Sequence, residues 1–108
     1  MTFPQVVVLA IAGLALTSQA VAAQSGPTDT EHGRELAAKL CSNCHLVPDL
    51  PSNVGRPDVP SFAAIARKPN ITPDRLEAAM VLPHPEMPGV PLTRAQIRNL
   101  AAFILSLK

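Results

Sequence analysis

The chain contains no tryptophan and no tyrosine, and of its three phenylalanines only Phe62 and Phe103 lie outside the first few residues. So few large side chains do not readily fill a core in a domain this short, so something besides the polypeptide has to supply bulk. Two cysteines, Cys41 and Cys44, exclude a multi-disulfide scaffold. Neither sign of charge is in excess: nine Lys and Arg face eight Asp and Glu, a formal charge of +1. That balance argues against nucleic acid and anionic membrane surfaces as main partners. No alternating apolar run is long enough for a strand. Proline, in contrast, is abundant. Ten of the twelve prolines fall between Pro48 and Pro91, which excludes a long central helix and a regular sheet.

Every Lys, Arg, Asp and Glu lies after Ala23. Before it, Val6 to Leu16 is an unbroken apolar run. As a helix this run would reach only about 16 Å, short of the ~30 Å hydrocarbon core of a bilayer. Ala20-Val21-Ala22 forms an A-x-A cleavage pattern, and Val21-Ala22-Ala23 offers a second register. Met1 to Gln5 contains no Lys or Arg, so the α-amino group alone supplies the usual positive charge. The pattern predicts a signal peptide over 1–23 and one mature domain over 24–108. The mature protein would then be exported to the periplasm, without stable membrane insertion after cleavage, into an oxidising compartment.

Four short helices and no strand are predicted for the mature region. Thr28-x-x-Glu31 reads as a capping box for a first helix over 29–44, with Leu36 and Leu40 on one face. A proline-containing loop over 46–59 leads to Pro60-Ser61 and a short helix over 61–68, with Phe62 and Ile65 inward. Thr72-Pro73 places an N-cap and an N1 proline before a third helix over 73–82. After a second proline-rich loop over 83–91, Thr93-x-x-Gln96 caps a last helix over 94–107. Ile97, Leu100, Ala101 and Ile104 mark its buried face, with Phe103 beside them.

One motif carries chemistry: Cys41-Ser42-Asn43-Cys44-His45. C-x-x-C-H is the attachment sequence of c-type haem. Two thiols three residues apart at a helix end can reach the two vinyl groups of one porphyrin, each forming a thioether. The adjacent imidazole of His45 then falls under the iron as proximal ligand, and its Nδ1–H needs an acceptor to fix tautomer and orientation. A dithiol redox pair normally follows a strand, and none is predicted here. A zinc site would need further ligands, and only His32 and His84 remain, without suitable spacing. A plain disulfide leaves His45 unexplained.

From Gly33 to Leu107 the chain resembles the small class I c-type cytochromes of bacteria. The resemblance implies an all-α fold of about four short helices wrapped around one haem c, bound covalently through Cys41 and Cys44. It implies that Gly33, eight residues before Cys41, permits close crossing by the last helix at Leu100, Phe103 and Ile104. It implies that Pro60, with Pro57 second, offers its carbonyl to His45. It also implies that Met87, in Met87-Pro88, is the distal iron ligand. Ala37 stands where larger members carry an aromatic residue, and the last helix lacks their Tyr or Trp.

Met87 is also favoured by its setting in a proline-framed loop, which lowers the entropy cost of presenting a thioether to iron. Met80, in a helical segment with Leu76 and Ala79, and His84 are its competitors. Arg56 is a candidate partner for a haem propionate. Two function classes follow. One is a monomeric, non-enzymatic one-electron carrier with His/Met iron, serving a dehydrogenase, oxidase or reductase. The other is an open-site haem protein that binds small ligands. A haem-bearing electron-accepting subunit of a periplasmic dehydrogenase cuts across both.

Overall fold

Each helix begins where a short polar side chain takes up a free backbone N–H. The computed structural model describes residue 1, residues 28–82, residue 84 and residues 87–108. Apart from Met1, the leader expected over 1–23 lies outside them. The elements are α1 (Thr30–Leu40), α2 (Phe62–Ala66), α3 (Pro73–Val81) and α4 (Arg94–Leu105). Ser61, Thr72 and Thr93 are the N-caps of α2, α3 and α4, each accepting from the backbone N–H three residues on. At α4 the Gln96 side chain accepts in return from Thr93 N at 2.9 Å, completing the expected capping box.

The start of α1 differs from the expectation. Its cap is Asp29 rather than Thr28, with Oδ1 accepting from His32 N at 2.9 Å. A carboxylate there both satisfies an orphan donor and meets the positive end of the helix dipole, whereas a hydroxyl does only the first. The end of α1 differs too. The helix stops at Leu40 instead of running to Cys44, because the Ser42 hydroxyl donates to Ala38 O at 2.6 Å and competes with the backbone for that carbonyl. The chain continues as a tight turn in which Cys41 O accepts from Cys44 N at 3.2 Å and from His45 N at 2.9 Å. α2 and α4 are likewise shorter at their C-terminal ends than the spacing predicts.

α4 is the element against which the others pack: it meets α1, α3 and α2. Its inward face is the predicted one, with Ile97, Leu100, Ala101, Phe103 and Ile104 all buried. The α1–α4 crossing is close because α1 presents Gly33 and Ala37 there, and Ala37 is fully buried. A Cβ on Gly33 would lie 2.6 Å from the carbonyl carbon of Asn99 and 2.9 Å from Phe103 Cβ. The atoms nearest to Gly33 at the crossing belong to the Asn99 backbone and to Phe103. Asn99 also accepts from Asp29 N through Oδ1 at 3.0 Å. Phe62 of α2 meets Phe103 of α4 edge to face, with centroids 6.2 Å apart.

Among the described residues there is no strand, only one isolated bridge between His84 and Met87. The fold is all-α, and no helix among these residues is long and apolar enough to cross a membrane.

Candidate cofactor site

The turn after α1 sets the site. Cys41, Cys44 and His45 are each half-buried and line one cavity of about 390 Å³, within the ~300–1,000 Å³ usual for small-molecule and cofactor sites. Pro60, Met80 and Met87 line it as well, and most of the remaining wall is aliphatic. All five residues singled out for cofactor binding (Cys41, Cys44, His45, Pro60 and Met87) thus border the same space.

Two contacts orient the His45 ring. Nδ1–H donates to Pro60 O at 2.7 Å, which leaves the lone pair on Nε2. Phe62 packs on the ring, with centroids 5.2 Å apart and planes tilted by 49°. The acceptor is the one the resemblance implies. Ser61, the N-cap of α2, follows it directly, so the helix that buries Phe62 also fixes the carbonyl.

The motif is held from behind by a residue whose role was not foreseen. Asn53 Nδ2 donates to Ser42 O at 2.7 Å and to His45 O at 3.3 Å, while Asn53 Oδ1 accepts from Val47 N at 2.6 Å. One amide therefore ties three backbone groups of the Cys-x-x-Cys-His turn and its exit. Gly55 lets the loop return close beside it. Gly55 has φ 61°, and a Cβ there would lie 2.7 Å from Leu46 N. Arg56 N then donates to Cys44 O at 2.8 Å. In the sequence Asn53 reads only as one more turn former, since its partners are backbone groups that leave no residue signature.

Neither cysteine is in a disulfide. Burial pushes the Cys41 thiol up to about 11, so it stays protonated at neutral pH. Among the described residues no group of three or more His, Cys, Asp or Glu side chains is poised for a metal ion.

The distal candidates separate partly. Met87 and Met80 both line the cavity, whereas His84 is exposed and does not. Met87 N donates to His84 O at 3.4 Å. Met80 packs against the core from α3. Leu40, expected on one face of α1 with Leu36, is 42% exposed and borders the cavity, whereas Leu36 is buried in the core. Arg56 is turned elsewhere: its guanidinium donates to Asp58 at 2.6 Å and it does not line the cavity. That pairing raises Arg56 above the usual arginine range and holds Asp58 below the usual carboxylate range.

The donor set fits a covalently held haem. Two thiols and an oriented imidazole stand on an aliphatic cavity, and thioethers line it too. Comparison with known proteins agrees. The cytochrome c family model matches residues 30–108. The chain is 39% identical over 100 residues to cytochrome c-552 of Bradyrhizobium diazoefficiens, an alignment that covers 93% of this chain and 90% of that protein. No solved structure gives a significant match.

Proposed function

The chain belongs to the cytochrome c family, and from that premise we propose that it is a monomeric, periplasmic one-electron carrier with iron held between His45 and Met87. The protein is an electron carrier and not an enzyme, and haem c is its cofactor, joined through Cys41 and Cys44. When bound, the haem supplies one reversible electron, the iron alternating between ferrous and ferric.

The chain's own groups supply the rest. Pro60 O keeps the proton on His45 Nδ1 and thereby the lone pair on Nε2, as an iron ligand requires. A neutral carbonyl, unlike a carboxylate, leaves the imidazole an ordinary donor. Asn53 holds the turn so that both thiols and the imidazole keep their spacing. The aliphatic wall excludes water. A thioether ligand from Met87 would favour the ferrous state and would take the position that small ligands need.

The observation that carries the reading is the convergence of Cys41, Cys44, His45 and Met87 on one apolar cavity. Export is supported by the leader pattern over 1–23. Absorption spectra of the periplasmic fraction in both redox states test the whole. The expected result is covalent haem that survives acid–organic extraction, with a ferric methionine charge-transfer band. A five-coordinate ferrous form that binds carbon monoxide would replace the carrier reading with an open-site one.

A further inference from the structure

The two phenylalanines outside the first few residues stand in one line that ends on His45. In α4, Phe103 lies at the crossing with α1, its Cβ 2.9 Å from where a Cβ on Gly33 would stand. Its ring meets the Phe62 ring edge to face, with centroids 6.2 Å apart and planes at 60°. Phe62 in turn packs on the His45 imidazole at 5.2 Å. Both phenylalanines are buried. Phe62 is also pinned through its backbone, because its N–H donates at 3.1 Å to the carbonyl of Leu46, the residue directly after His45. The Phe62 ring therefore cannot drift from the imidazole without breaking that bond or displacing Phe103.

Elsewhere this chain fills its core with aliphatic residues such as Leu36, Leu76 and Leu100. A flat, rigid ring has a particular use where a plane must be set. The Pro60 carbonyl fixes the tautomer of His45 but holds its plane loosely, because a carbonyl oxygen accepts over a broad range of directions. A contact on the ring face removes that freedom. On the reading of His45 as an iron ligand, we infer that Phe62 is the positioning residue that sets the plane of the imidazole, and that Phe103 holds Phe62 in that setting. The crossing of α1 and α4 is thereby transmitted to the proximal ligand. A fixed plane keeps Nε2 aimed in one direction in the ferrous and ferric states alike, so an electron can move with little rearrangement on this side of the iron.

The test uses the holoprotein with Phe62→Leu, Phe62→Tyr and Phe103→Leu, and with Leu36→Ala as a control. Leu36 is a buried core residue that does not line the cavity. Haem staining and the ferric absorption spectrum first establish covalent, low-spin haem; a wild-type chain without it would sink the haem-site reading itself, whatever Phe62 does. The readout is the set of four ring-methyl proton resonances of the ferric protein, whose order and spread follow the orientation of the axial ligands. Phe62→Leu should change that pattern, and Phe103→Leu should change it in the same sense but less. Phe62→Tyr, which keeps the ring, should retain the wild-type pattern. Leu36→Ala should lower the denaturation midpoint and leave the pattern alone. The ferric methionine band should persist in every variant; its loss from Phe62→Leu would move the change to the distal side and overturn the assignment. If Phe62→Leu does not fold, Phe103→Leu carries the test. A wild-type pattern in folded Phe62→Leu would show that the Pro60 carbonyl holds the plane unaided. An equal change in Leu36→Ala would reduce the effect to a general loosening of the core. Either result overturns the inference, and a wild-type pattern in Phe103→Leu overturns the link to α4.

Discussion

Nδ1 of His45 stands 2.7 Å from the carbonyl oxygen of Pro60, a residue fifteen positions later. The bond uses the backbone, so the side chain at position 60 matters only for the conformation it imposes. Pro60→Ala keeps the acceptor and should leave the haem spectrum unchanged. It should cost about 0.4–1 kcal/mol, chiefly by freeing the unfolded chain. Guanidinium unfolding of the holoprotein measures this, and a changed ferric spectrum would show that the ring at 60 does more than hold its carbonyl.

Gly33→Ala tests the crossing of α1 and α4. The new methyl would collide with the Asn99 backbone, which cannot move aside like a flexible side chain. The helices must separate, at a cost typical of overpacking, about 1–3 kcal/mol. A lower denaturation midpoint with unaltered haem attachment is expected. An unchanged midpoint would mean that the crossing has room to spare.

Asn53→Ala removes three hydrogen bonds from the haem-bearing turn and leaves the N–H of Val47, a residue only 2% exposed, without its partner. The expected loss is about 1–3 kcal/mol. Asn53→Asp keeps the acceptor for Val47 N but gives up both donated bonds, so it should recover only part of the loss. Denaturation curves of the two variants side by side decide it.

Met87→Ala should open the sixth iron position. Ferrous protein should then bind carbon monoxide readily, and the potential should fall with loss of the thioether. Met80→Ala should leave the spectrum intact and lower stability, since Met80 packs on the core. The opposite pattern would make Met80 the ligand.

Replacing Cys41 and Cys44 together by Ala should abolish covalent haem and leave a chain that does not fold cooperatively. The cavity walls would lose the group that fills them, and binding free energy is here folding free energy. Far-UV dichroism during heating checks this. A sharp thermal transition in the haem-free variant would count against it.

Much of this molecule is legible in its residues. Ser61, Thr72 and Thr93 announce three helix starts, because a capping side chain acts within three residues of itself. The buried face of α4 follows from the spacing of Ile97, Leu100, Ala101 and Ile104. The haem motif is legible because thioether chemistry demands a fixed spacing. What escaped depends on backbone groups or on competition. Ser42 ends α1 early by taking a carbonyl, and Asp29 outcompetes Thr28 as cap. Asn53 works on backbone groups that every residue possesses. Arg56 reads as a carboxylate partner in sequence, and the position of Asp58, which takes its guanidinium, shows only in the fold.

The hydrogen bond from Asp29 N to the Asn99 side chain joins positions 70 residues apart. It has a consequence for the order of events in the life of the chain. The segment against which α1 must pack is made well after it, so the cysteines and His45 emerge before their enclosure can exist. The cavity therefore closes only once α4 returns to α1. A single cut removing the last two turns of α4 would not trim the surface but undo the beginning of the molecule.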